Sequence, residues 1–168
     1  MTFSRMLGLG LTNFADTEQR DWVISMKVKE LMSKKLTTVT PNDPLDRVFF
    51  LYNFENIRHL PVLEKNKLVG ILSDRDLKKI LGPKKSIIEK PDGTTFQIST
   101  RKVKNIMQRR VITIEPEQRA ADAAAIMAKR KIGALPVVHK NKLVGIITAT
   151  DILRAFVKLR NDLDRVGK

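Results

Sequence analysis

Two stretches of this chain are near copies of each other. Val28-Lys29-Glu30-Leu31-Met32 answers to Val103-Lys104-Asn105-Ile106-Met107, and Leu60-Pro61-Val62 answers to Leu135-Pro136-Val137. Lys65-Asn66-Lys67-Leu68-Val69-Gly70-Ile71 recurs unchanged as Lys140-Asn141-Lys142-Leu143-Val144-Gly145-Ile146. The spacing between copies is constant and needs no gap. An internal duplication constrains architecture more strongly than any local propensity. Two copies of one unit pack about a pseudo-twofold axis, and a cleft in one copy has a counterpart in the other.

Within each copy the pattern predicts a short opening helical turn, then a β-branched strand at residues 36–39 and 111–114, ended by Pro41 and Pro116. Asp43-Pro44 predicts a helix start with Asp as N-cap and Pro at the first helical position. Leu45, Val48, Phe49 and Tyr52 follow at helical spacing, and Ala120, Ala123, Ala124 and Met127 stand at the matching places. Two short strands come next, joined by Lys65-Asn66 or Lys140-Asn141, where Asn tolerates positive φ in a tight hairpin. A closing helix begins near Asp74 and Ala149. The order is β-α-β-β-α, twice, which is an α+β fold.

The division expected is an N-terminal extension at 1–25, repeat 1 at 26–81, a linker at 82–102, repeat 2 at 103–156 and a helical continuation at 157–168. In the linker, alternation around Pro91-Asp92-Gly93 predicts a β-hairpin. The bulky run Val48-Phe49-Phe50-Leu51 matches the small run Ala123-Ala124-Ala125-Ile126. Large against small suits helices that face each other near the axis or at a dimer contact; the plainer alternative is that each serves its own core. Ile152, Leu153, Phe156, Val157, Leu159 and Leu163 form an apolar stripe expected to dock on the body or on a second copy.

Of the 168 residues, 42% are hydrophobic, enough for a sizeable core. The chain has no Cys, so disulfides and thiol chemistry are excluded. His59 and His139 are the two imidazoles, far apart in sequence, and no metal site is expected. No apolar run reaches the roughly 20 residues that span a bilayer, and the Met6-Leu7-Gly8-Leu9-Gly10-Leu11 run is too short for a signal-peptide core, so a cytoplasmic protein is expected. With 32 Lys+Arg against 18 Asp+Glu, the formal charge of +14 favours anionic partners, whether nucleotides, nucleic acids or acidic proteins. Against nucleic acid stand the scarcity of aromatic residues for base stacking and the lack of a recognition motif. Gly82-Pro83-Lys84-Lys85-Ser86 lacks the spacing of a phosphate loop.

The end of each repeat carries the sharpest chemical signal. Ser73-Asp74-Arg75-Asp76 and Thr148-Ala149-Thr150-Asp151 place a hydroxyl and a carboxylate three residues apart where a strand becomes a helix. Helix N-termini attract phosphate, and a carboxylate there can accept both hydroxyls of a ribose. Ser/Thr-x-x-Asp is equally close to a capping box, which satisfies only the helix's own amides. Both readings stay open on the residues alone. Lys34-Lys35 and Arg109-Arg110, ahead of each first strand, either line cleft mouths or coat the surface. No nucleophile, base and orienter set emerges from spacing, so no enzyme is expected.

The combination resembles the CBS domain, the β-α-β-β-α module named after cystathionine β-synthase. The residues that carry it are Thr38-Val39-Thr40-Pro41, Ile57-Arg58-His59-Leu60-Pro61-Val62 and Val69-Gly70-Ile71-Leu72-Ser73-Asp74-Arg75-Asp76 in the first copy. In the second they are Thr113-Ile114-Glu115-Pro116, Ile132-Gly133-Ala134-Leu135-Pro136-Val137 and Val144-Gly145-Ile146-Ile147-Thr148-Ala149-Thr150-Asp151. The layout is most similar to stand-alone bacterial pairs of the acetoin-utilisation type. The resemblance implies a tandem pair, often called a Bateman module, with two pseudo-symmetric clefts between the repeats for adenine nucleotides, a regulatory rather than catalytic role, and homodimerisation. It implies that Asp76 and Asp151 hold ribose and that Ser73, Arg75, Arg58, His59, Thr148 and Thr150 meet phosphate. Asp74 and Asp76 could meet a Mg²⁺ carried by a nucleotide but alone are not a metal site. Leu36, Thr38, Leu60, Pro61, Val111, Thr113, Ala134, Leu135 and Pro136 would enclose adenine. Arg58, His59 and Arg75 in the first cleft, against Gly133, Ala134 and Thr150 in the second, imply that the first prefers more phosphates.

Overall fold

A computed structural model describes residues 25–55, 57–81 and 101–166. The N-terminal extension up to residue 24, the expected linker hairpin, the 82–86 run and the side chain of Leu163 lie outside the described residues or atoms. The elements are α1 (Val28–Leu31), α2 (Leu45–Phe54), β1 (His59–Glu64), β2 (Lys67–Ser73) and α3 (Asp74–Leu81) in the first repeat. The second has a 3₁₀ turn (Val103–Asn105), α4 (Ala120–Arg130), β3 (Ala134–His139), β4 (Lys142–Thr148) and α5 (Ala149–Val166).

The hairpins β1–β2 and β3–β4 share one geometry. His59 pairs with Ser73 and Ala134 with Thr148, and both hairpins shift register at the matching place, Val62/Leu63 and Val137/Val138. Both residues of each turn have positive φ: Lys65 48° and Asn66 62°, Lys140 48° and Asn141 62°. Two central residues in that region make a type I′ turn, whose twist suits a two-residue hairpin.

The first expected strand of each repeat shrinks to a single parallel bridge, Val39 with Val62 and Ile114 with Val137. Prolines on both sides explain this. Val39 N–H donates to Pro61 O, and Leu63 N–H donates to Val39 O. Continuing a parallel ladder in either direction would need an N–H from Pro61 or from Pro41, and proline has none. Pro136 and Pro116 impose the same limit on Ile114. The start of α2 also differs from expectation. Pro44 is the N-cap, with extended backbone, and Leu45 is the first helical residue. Asp43 instead accepts the Thr40 N–H at 2.9 Å and pairs with Arg47 at 3.1 Å.

The two repeats exchange their opening turns. Val28 N–H donates to Gln118 O and Lys29 N–H to Pro116 O, Ala120 N–H donates to Met26 O, and Ser33 and Ile146 exchange both backbone bonds. Reciprocally, Val103 N–H donates to Asp43 O and Lys104 N–H to Pro41 O, Leu45 N–H donates to Arg101 O, and Gln108 and Ile71 exchange both bonds. The cores follow the exchange. Val103 and Met107 complete a cluster of Val39, Leu45, Val48, Leu60, Val62, Leu72 and Leu77. Val28 completes the cluster of Ile114, Ala123, Met127, Leu135, Val137 and Ile147. Val28 and Val103 are fully buried, which stabilises by about 1.5–3 kcal/mol each. An ionic clamp adds to one side: Lys27 and Lys29 reach Glu117 at 2.6 and 2.7 Å. Their hydrogen bonds hold the Glu117 carboxyl at about 2, below the ordinary carboxylate range.

The matched helices α2 and α4 bury into different clusters, Val48 in one and Ala123 in the other, so each serves its own core. Phe50 and Phe54 are exposed and stack on each other. Along α5, Ile152 packs on the second core while Leu153, Phe156 and Val157 stay exposed, so the expected docking of that whole stripe on the body is not found. β2 and β4 lie against each other between the repeats.

Gly70 and Gly145 sit where the exchanged methionines pass. A Cβ on Gly70 would lie 2.7 Å from Met107 Sδ, and one on Gly145 would lie 2.5 Å from Met32 Sδ, with carbonyl oxygens of Gln108 and Ser33 close behind. Gly70→Ala and Gly145→Ala should each destabilise the fold by about 1–3 kcal/mol in urea unfolding. Met107→Ala and Met32→Ala in the same chains should recover part of the loss. Additive losses would mean that the methionines are not what the glycines accommodate.

Candidate functional site

The strand-to-helix junctions carry the carboxylates. At the end of β2, Ser73 N–H and Ser73 Oγ–H both donate to Asp76 Oδ2, at 3.0 and 2.6 Å, and Asp76 N–H returns a bond to Ser73 Oγ at 3.3 Å. Thr148 and Asp151 repeat this at the end of β4, at 2.8, 2.6 and 3.3 Å. The capping-box geometry is therefore real. It occupies only one oxygen of each carboxylate. Asp76 Oδ1 has Gln108 Nε2 at 3.5 Å, and Asp151 Oδ1 has Arg154 Nη1 at 4.0 Å. Each half-buried carboxylate thus keeps an acceptor for a second partner while its first oxygen fixes its position.

Each carboxylate lines a cleft built from both repeats. The Asp76 cleft, 480 Å³, combines Ser73, Asp74 and Arg75 with Gln108, Arg110, Val111, Ile112, Ala134 and Pro136 of repeat 2. The Asp151 cleft, 500 Å³, combines Thr148, Thr150 and Arg154 with Lys35, Leu36, Thr37, Ile57 and Pro61 of repeat 1. These volumes suit a small organic ligand. Clefts between the repeats are as expected, but the expected grouping of wall residues by repeat is corrected: Leu36 and Pro61 share a cleft with Asp151, while Val111, Ala134 and Pro136 share one with Asp76. Arg58 and His59, expected in the first cleft alone, line both, as does Gly133.

Four of the expected adenine contacts fall outside the clefts. Leu60 and Leu135 are fully buried core residues. Side chains alternate along a strand: Leu60 and Leu135 belong to the core, while His59 and Ala134 border the clefts together with Pro61 and Pro136, which are themselves fully buried. Thr38 and Thr113 line neither cleft, and Thr37 and Ile112 stand there instead. Of the repeated basic pairs, Lys35 and Arg110 line the cleft mouths. Arg109 turns to the Lys104 carbonyl at 3.2 Å.

The cationic side chains are unequally shared. The Asp76 cleft has Arg58, Arg75, Lys79, Arg110 and Lys131 beside Asp74 and Asp76; the Asp151 cleft has Lys35, Arg58 and Arg154 beside Asp151. The helix amides contribute less to an anion site than expected. Asp74 N–H already donates to Arg58 O, Ala149 N–H donates to Gly133 O, and the capping boxes take two more. The guanidinium and ammonium groups, rather than the helix amides, are the groups these clefts can offer to an anion. Gln108, Lys131 and Arg154 carry no signal in the sequence, whereas the repetition of the two basic pairs offered Lys35 and Arg110 as cleft or surface residues.

Burial pushes the His59 imidazole below its ordinary 6.5; Asp74 and Asp76 oppose this, while Arg58 and Arg75 add to it. The unfolded chain then binds a proton at a pH where the folded chain does not, so stability is lost as pH falls below about 6.5. His59→Gln should flatten the decline in unfolding free energy between about pH 7.5 and 5.5. An unchanged slope would show that His59 does not titrate between the two states.

The CBS domain family model matches residues 28–82 and 103–158. A CBS domain pair of protein MJ0100, solved with 5′-methylthioadenosine and S-adenosyl-L-methionine, is 30% identical with a TM-score of 0.65, covering 79% of this chain and 97% of that one. A Vibrio cholerae protein named as an acetoin utilization protein (AcuB) is 30% identical with a TM-score of 0.66, over 84% and 98%. CBSX2 in complex with AMP is 27% identical with a TM-score of 0.62, over 80% and 98%.

Proposed function

The chain belongs to the CBS-domain family, and on that footing we propose that it is a non-catalytic regulatory module whose two composite clefts bind adenine nucleotides. The observation that carries this reading is the twinned carboxylate. Asp76 and Asp151 each hold one oxygen in a cap and keep the other for a polyol, and each faces an apolar wall from the opposite repeat. That wall, Val111 with Ile132 and Ala134 or Leu36 with Ile57 and Pro61, suits a purine ring. Adenosine-containing ligands in the MJ0100 pair and in CBSX2 support the same chemistry.

Arg58, Arg75 and Arg110 in the Asp76 cleft, and Lys35 with Arg154 in the other, would receive the phosphates, and any Mg²⁺ would arrive on the nucleotide. Because each cleft is lined by residues of both repeats, a ligand that prefers one spacing of the repeats shifts their relation. The exposed Phe50 and Phe54, and Leu153, Phe156 and Val157, would transmit that shift to a second copy in a homodimer or to a protein partner in the cytoplasm. Among the described residues, no helix is long and apolar enough to cross a membrane.

Each cleft filled at a hundred times its Kd should stabilise the protein by about 2.7 kcal/mol. AMP should therefore raise the melting temperature by several degrees. Asp76→Ala and Asp151→Ala should each keep part of that rise, and the double variant none. A double variant that responds to AMP as the parent does would remove the carboxylates from the site. Salt-sensitive binding to DNA or RNA with no response to nucleotides would favour a nucleic-acid role.

A further inference from the structure

The wall between the two clefts is asymmetric in one place. By the repeat, Arg58-His59 answers to Gly133-Ala134. Both clefts are lined by Arg58, His59 and Gly133, so these residues form their common partition. The His59 ring lies over Gly133: a Cβ there would stand 3.1 Å from both Cε1 and Nε2. A side chain at position 133 would press on the His59 ring, so the glycine leaves that ring its place in the partition.

The backbone of this partition is pinned while the arginine head is not. Arg58 O accepts the Asp74 N–H at the foot of α3, and Gly133 O accepts the Ala149 N–H at the foot of α5. No side-chain hydrogen bond or ion pair engages the exposed Arg58 guanidinium among the described residues. A single long, cationic side chain therefore stands on a fixed base between two anion-binding clefts.

We infer that Arg58 is a phosphate-holding arm shared by the two clefts, so that two phosphate-bearing nucleotides bind with negative coupling. The inference rests on the nucleotide reading above. A guanidinium committed to one phosphate by charge-assisted bonds is lost to the other cleft. The second nucleotide then has only its own cleft's cations, and linkage makes the loss reciprocal. An uncharged nucleoside makes no demand on Arg58, and its two binding events stay independent.

The test is calorimetric titration of the full chain with AMP and with adenosine, at about 0.5 M salt, where the Debye length is a few ångströms and repulsion between phosphates is screened. Asp76→Ala and Asp151→Ala supply the affinity of each cleft alone. In the parent chain the second AMP should bind about tenfold more weakly than that cleft does alone, while adenosine should fill both clefts at their single-cleft affinities. Arg58→Ala should weaken AMP in both clefts and reduce the coupling to less than about twofold, and Arg58→Lys should restore it in part. Independent AMP binding in the parent, or coupling undiminished in Arg58→Ala, overturns the inference and leaves the nucleotide reading standing. Binding of neither AMP nor adenosine overturns both.

Discussion

Neither repeat owns a complete core. The turn that opens each one is buried in the other, where Val28 or Val103 fills the centre and Met32 or Met107 lies over a glycine. The backbone is exchanged as well as the side chains, with matching bonds in both directions. This reciprocal exchange sets the spacing and orientation of everything else. Buried backbone groups must find partners, and here the partners come from the opposite repeat. The two units cannot separate without uncovering apolar surface and leaving those groups unpaired.

The clefts are a consequence of that arrangement. Bringing β2 against β4 puts the end of each strand, and the carboxylate that follows it, beside the hairpin of the other repeat. The carboxylate is positioned by its own helix start, while the surface it faces is supplied from across the axis. The same closeness makes Arg58 and His59 residues of both clefts. Ser33 and Ile146 line one cleft and Ile71 and Gln108 the other, and the same pairs exchange backbone bonds between the repeats, so under the proposed function a ligand would sit against the contacts that hold the repeats together.

Much of this was legible in the sequence, and the gaps have identifiable causes. The unchanged Lys65-Asn66 and Lys140-Asn141 pairs marked the hairpins, since Asn accepts positive φ, and Lys65 and Lys140 follow it into the same region. The Ser/Thr-x-x-Asp spacing was read both as a cap and as a ligand-gripping carboxylate; the geometry accommodates both because a carboxylate has two oxygens. The loss of the first strands is implicit in Pro41, Pro61, Pro116 and Pro136: the sequence reading takes Pro41 and Pro116 as breaks in the chain and Pro61 and Pro136 as strand and cleft residues, and none of the four as a missing donor in a ladder. Leu60 and Leu135 were assigned to the clefts through their neighbours, against the alternation of a strand. The composite nature of the clefts had no local signal. Which repeat's wall faces Asp76 depends on how two units pack, and the repeat itself is silent on that.

A crystal structure of the full chain with AMP tests the central claim most directly. The account predicts that a ribose held by Asp76 carries its adenine against Val111, Ile132 and Ala134, and that one held by Asp151 carries it against Leu36, Ile57 and Pro61. A nucleotide whose ribose and base contacts all fall within one repeat would contradict it.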